Sequence, residues 1–157
     1  MHRFRTLLYF TLVGGVVGCS DSTGPQLVSQ HGNLQFVHDA AAGRQLARQQ
    51  SLPCLLFFTA EWCTYCHKME DDAFVDARVA SLAEQFVCVL VDADREAEVC
   101  QQFGINGYPT VLFVSADGRQ LHRLVGLQSA SQLARGMQAA LQRLAWLDNI
   151  TPAHAGG

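Results

Sequence analysis

The run Cys54-Leu55-Leu56-Phe57-Phe58-Thr59 constrains this chain more than any other segment. A strand with one wet face alternates apolar and polar residues, because successive side chains point to opposite sides. Here the alternation is missing, which is the pattern of a strand buried on both faces. Such a strand needs a layer of structure above it and another below. Phe86 to Val91 repeats the pattern. Together the two runs predict a covered sheet, in a chain of 157 residues that suits one domain rather than two.

The flanking segments supply the layers. Phe36-Val37 reads as a short first strand, and Asp39 suits the cap of a helix running to about Gln50, with Leu46 and several alanines inward. Ser51-Leu52-Pro53 breaks it. After Thr59, Ala60-Glu61-Trp62 turns into a helix ending near Phe74. Asp76 starts another, with Val79, Leu82 and Ala83 inward. A short helix from Arg95 to Phe103 stops at Gly104. Val111 to Ser115 and Gln120 to Val125 flank Asp117-Gly118, a hairpin turn. Ser129 opens the last helix, with Leu133, Met137, Ala140, Leu141 and Leu144 on one face. The order β-α-β-α-β-α-β-β-α implies an α/β fold: a central mixed sheet with helices on both faces.

The ends read differently. Residues 1–18 combine a short basic start (His2, Arg3, Arg5) with an apolar stretch too short to span a bilayer comfortably. They end in Val16-Val17-Gly18-Cys19, which resembles a bacterial lipoprotein signal, with Cys19 as the lipidated residue. That resemblance implies export and a lipid anchor on a membrane surface in the periplasm. In lipoproteins Asp directly after the cysteine marks retention at the inner membrane; Ser20 stands there, which points to the outer membrane. Residues 19–35 read as a flexible tether, 36–147 as the folded domain and 148–157 as a disordered tail.

Composition narrows the function classes. With 49% hydrophobic residues and a formal net charge of −3, the chain can fill a core but has no basic excess for holding nucleic acid. Its chemistry lies in Cys63-Thr64-Tyr65-Cys66. Cysteines three apart at a helix start lie one turn apart, so their sulfurs can meet. The free N–H groups there favour a thiolate on Cys63, the species that attacks a disulfide. Cys66, more buried, would then attack Cys63 and release the reduced substrate. A permanent stabilising disulfide is the poorer reading, because so small a loop constrains little of the unfolded chain. Cys54, Cys88 and Cys100 fall on apolar faces and read as small hydrophobes. No metal is expected: Cys63, Cys66 and His67 lack a second ligand pair at suitable spacing. No cofactor is expected either.

The apolar strand leading into Trp62-Cys63, the second Cys66, the Gly107-Tyr108-Pro109-Thr110 loop and the Asp117-Gly118 hairpin together resemble the thioredoxin superfamily, in its order and spacing. The stretch Cys66-His67-Lys68-Met69-Glu70, then Phe74, Asp76 and Val79, is similar to the periplasmic C-terminal domain of DsbD and to thioredoxin-like lipoproteins. The resemblance implies a thioredoxin-like three-layer sandwich. It implies a cis peptide bond at Pro109, with Tyr108 and Pro109 beside Cys63 to pair with a substrate strand, and an apolar rim of Trp62 and Tyr65. In the DsbD-like domains a carboxylate four residues after the second cysteine lies near the active site; Glu70 stands there. Many thioredoxins also bury an acid in the strand before the motif, where this chain has Phe57. The resemblance further implies a monomeric protein-disulfide reductase acting on oxidised envelope proteins and re-reduced by a membrane electron donor. A disulfide oxidase or isomerase, or a non-catalytic binding module, is the alternative.

Overall fold

A computed structural model describes residues 28–150. The described chain opens on a hairpin, β1 (Val28–His31) and β2 (Leu34–His38), joined through Gly32-Asn33. It continues with α1 (Ala40–Gln50), β3 (Cys54–Thr59), α2 (Thr64–Asp72), α3 (Ala77–Ala83) and β4 (Val87–Asp92). Then follow α4 (Ala97–Gln102), β5 (Thr110–Val114), β6 (Gln120–Val125) and α5 (Ala130–Ile150).

Local chemistry sets the helix starts. Asp39 accepts from Ala41 N and Ala42 N at the head of α1, and Asp76 accepts from Arg78 N and Val79 N at the head of α3. Each satisfies donors that no helical carbonyl can reach. Ser129 and Gln132 bond reciprocally before α5, the arrangement of a capping box.

The sheet runs β1-β2-β4-β3-β5-β6. β2, β4 and β3 are parallel; β1, β5 and β6 pair antiparallel. Every residue of β3 is buried, as the unbroken apolar run requires. Leu55 and Phe57 face one core with Phe36, Met69, Phe74, Leu133 and Met137; Leu56 and Phe58 face the other with Ala40, Ala47 and Cys100. Each fully buried large side chain contributes about 1.5–3 kcal/mol of transfer free energy, so the two layers anchor β3 from both sides. α1 approaches so closely that a Cβ on Gly43 would lie 2.3 Å from Val89 Cγ2.

The domain starts earlier than the sequence suggests. Residues 19–35 read as a tether, yet Val28–His31 forms a strand and β2 begins at Leu34. Val28-Ser29-Gln30-His31 is too polar to announce itself; pairing with β2 makes it a strand. Its turn is fitted to the rest of the fold. Gly32 has φ +58°, and a Cβ there would lie 2.7 Å from the Phe74 carbonyl carbon. Asn33 donates from its backbone to Phe74 O (2.8 Å) and from its side chain to Val75 O (2.6 Å). At the other end, residues 148–150 of the expected tail belong to α5. The expected signal peptide, Cys19 and residues 151–157 lie outside the described residues.

Candidate active site

β3 ends at Thr59, and Ala60-Glu61-Trp62 turns the chain into α2. Cys63 N donates to Ala60 O (3.0 Å), closing the turn. Cys63 is the N-cap of α2: its carbonyl accepts from Cys66 N (3.0 Å) and His67 N (3.2 Å). Its sulfur also accepts from Cys66 N, at 3.2 Å. The first-turn N–H groups of a helix carry partial positive charge and lower the cost of a negative sulfur. Cys63 and Cys66 form a disulfide with an S–S distance of 2.05 Å and Cα atoms 5.2 Å apart. Cys66 is 0% exposed and Cys63 5%. Cys63 is thus slightly the more open of the two, with its sulfur bonded inward to Cys66.

The expected loop leads into β5, whose Thr110 pairs with Phe58 near the end of β3, and the Tyr108–Pro109 bond is cis. Pro109 is buried and Tyr108 half-buried. Tyr108 meets Trp62 edge to face, with centroids 5.9 Å apart. Trp62 remains 68% exposed, and its indole N–H donates to Asp94 Oδ1 at 3.3 Å. Tyr65 is exposed beside it in sequence. Burial pushes the Tyr108 hydroxyl up to about 12, and the Cys100 thiol hydrogen-bonded to it adds to the shift.

Phe57 fills the position of the missing acid. It packs against Phe36 and Phe74, with ring centroids 6.0 and 5.0 Å away. Glu70 lies one turn beyond Cys66 on the same side of α2, half-buried. Its Oε2 is 2.7 Å from His31 Nδ1 on β1. Behind His31, Nε2 lies 2.8 Å from Ser29 Oγ, which lies 2.6 Å from His38 Nε2. Sequence reasoning missed His31, Ser29 and Asp94. No motif marks the first two; His31 reaches α2, and Ser29 reaches His31 and His38, because β1 pairs with β2.

The remaining described cysteines are free and buried. Burial pushes the Cys54 thiol up to about 11 and the Cys88 thiol up to about 12. Burial raises Cys100 as well, against a lowering hydrogen bond from Tyr108. These thiols stay protonated at neutral pH and pack as hydrophobes. Among the described residues, no cluster of His, Cys, Asp and Glu is suited to a metal ion.

A sheet of this order, with a cysteine pair capping the helix after its central strand and a cis-proline loop leading into the strand beside it, defines a thioredoxin-fold protein of thiol–disulfide chemistry. Residues 42–141 match the model of the thioredoxin-like domain family, and the chain belongs to that family of thiol–disulfide oxidoreductases. It is 33% identical over 99 residues to the thiol:disulfide interchange protein DsbD of Vibrio vulnificus, a match covering 59% of this chain and 17% of that one. The chain therefore spans only a small part of that relative's length. Among solved structures, a DsbH oxidoreductase aligns with 25% identity and a TM-score of 0.60, over 82% of this chain and 95% of that one. A thioredoxin from Thermus thermophilus shares the fold, with 23% identity and a TM-score of 0.63, over 74% and 95%.

Proposed function

We propose that this protein is a protein-disulfide reductase of the bacterial cell envelope, working through Cys63 and Cys66. The observation that carries the reading is the Cys63 sulfur capping α2, where the Cys66 N–H points at it. In the reduced protein the Cys63 thiolate attacks a substrate disulfide. One substrate sulfur leaves as a thiolate and the other is held in a mixed disulfide. Cys66 gives up its proton, attacks the Cys63 sulfur, and releases the second substrate thiolate. The protein ends oxidised at Cys63–Cys66, the state of this structure. Glu70 takes the Cys66 proton in place of the acid that Phe57 has displaced. Tyr108 and Pro109 present backbone to a substrate strand, with Trp62 and Tyr65 as the apolar rim.

Residues 36–147, extended at the N-terminus by the β1–β2 hairpin, form the working domain in this reading. Residues 1–18 direct export, and acylated Cys19 holds the domain on a membrane facing the periplasm, by preference the outer one. No helix among the described residues is long and apolar enough to cross a membrane. The substrates are oxidised envelope proteins, and a membrane protein restores the dithiol. Support for reduction comes from the likeness to DsbD.

The deciding measurement is the equilibrium potential of the Cys63–Cys66 pair against glutathione or dithiothreitol. A value near ~−270 mV, that of thioredoxin, is expected. A value near ~−120 mV, that of the oxidant DsbA, would make the protein an oxidase instead. Fatty-acid labelling that survives in Cys19→Ser would overturn the anchor.

A further inference from the structure

The hairpin that opens the fold reaches the catalytic helix through one side chain. His31 bonds Glu70 at 2.7 Å, although the two residues are 39 apart in sequence. An ionised carboxylate can only accept, so His31 Nδ1 carries the hydrogen and donates it. In the neutral ring Nε2 then has only a lone pair, and Ser29 Oγ must donate to it across 2.8 Å. Ser29 Oγ can in turn accept from His38 Nε2 at 2.6 Å. With the ring neutral, the carboxylate thus sets the direction of every bond in the row His38–Ser29–His31–Glu70.

The row leaves His31 little freedom. Its ring packs edge-on against Phe36 (centroids 5.6 Å apart) and lies 6.5 Å from the His38 ring. The turn beyond it is bonded to Phe74 and Val75, just past the end of α2. Glu70 Oε1 accepts no hydrogen bond among the described residues, so one oxygen is held and the other is free. A carboxylate held in this way has a fixed direction and keeps one oxygen open to a proton.

We propose that His31, held by Ser29, is a positioning residue for Glu70, and that the β1–β2 hairpin is therefore part of the active site. The proposal rests on the reading of Glu70 as acceptor of the Cys66 proton. His31 does not touch the sulfurs; it acts through the carboxylate. The Glu70 carboxylate selects its tautomer, and Ser29 holds the far ring nitrogen.

The test is a double-mutant cycle on the reduced protein with a chromogenic aromatic disulfide. One aryl thiolate is released when Cys63 attacks and the second when Cys66 resolves the mixed disulfide; with the reagent concentrated enough that attack does not limit, the second, concentration-independent phase reports the Cys66 step. Glu70→Gln should slow that phase roughly a hundredfold, the scale of one acid–base group. His31→Phe keeps a ring against Phe36 but removes the donor, and should slow it roughly tenfold, a part of the same effect. His31→Asn places an amide N–H where Nδ1 stands and should restore most of the rate. In the Glu70→Gln background, His31→Phe should change nothing further. Equal slowing by His31→Phe in both backgrounds would show a merely structural role and overturn the proposal. So would a fall in melting temperature with the second phase unchanged. If Glu70→Gln alone leaves the second phase intact, the reading of Glu70 fails, and the proposal with it. If only His31→Phe is silent, Glu70 stands and the proposal falls.

Discussion

Cys54 and Cys63 stand at opposite ends of the same strand and turn, nine residues apart in sequence, and their surroundings could hardly differ more. Cys54 begins β3, buried, with its thiol directed at Gly43 O at 4.0 Å and its ionisation pushed up to about 11. Cys63 caps α2 and receives an N–H on its sulfur. Both are largely hidden from water, so exposure does not separate them. The backbone does. Within a strand every N–H is spent on the ladder, whereas the first turn of a helix has N–H groups left over. A thiol buried without donors is silent; one buried against donors is poised for chemistry.

The sharpest way to break this contrast is to exchange the roles by mutation. Cys63→Ser should abolish reduction of insulin disulfides, while Cys54→Ala and Cys88→Ala keep it; an active Cys63→Ser protein would refute the assignment. Next in size is a carboxyl group placed in the silent strand. Phe57→Asp, among Phe36 and Phe74, should cost about 4 kcal/mol or more in urea unfolding, from lost packing and an unpaired polar group. A smaller effect lies in alkaline stability. The Cys54 and Cys88 thiols rise from an ordinary 9.0 to about 11 and about 12 in the folded chain. Above pH 9 the unfolded chain therefore loses these protons first, and unfolding is favoured. Stability should be whole below that pH and decline as pH climbs toward the folded values, and a Cys54→Ala/Cys88→Ala protein should decline less. Smallest is the neutral-pH cost of Cys88→Ala, about 1 kcal/mol by thermal melting, since little volume is lost.

The same contrast explains what could be read in advance. The centre of the fold was legible because its determinants are local. An unbroken apolar run becomes β3, Asp39 and Asp76 cap the helices they precede, and Asp117-Gly118 turns a hairpin. Cys63 and Cys66 needed only their spacing and the helix start. The cis bond at Pro109 came from family likeness, since nothing local demands it. What escaped depends on distant partners. β1 is a polar tetrapeptide whose strand state comes from β2, and Glu70 finds its partner on that strand. The end of α5 escaped for a related reason: Leu147 still packs on the core, which carries the helix to Ile150 past the point where its composition turns polar.

One further consequence follows from the hairpin. β2 carries Leu34 and Phe36 into the core, and its outer backbone is paired with β1 from Leu34 to Val37. Were β1 removed, β2 would present unpaired N–H and C=O groups beside apolar side chains, the kind of surface that recruits strands from other molecules. β1 replaces it with a border of only four residues, two of them Ser29 and His31. The segment that steadies Glu70 thus also guards solubility, and a proteolytic nick at Gly32 would turn a sealed border into a template for aggregation.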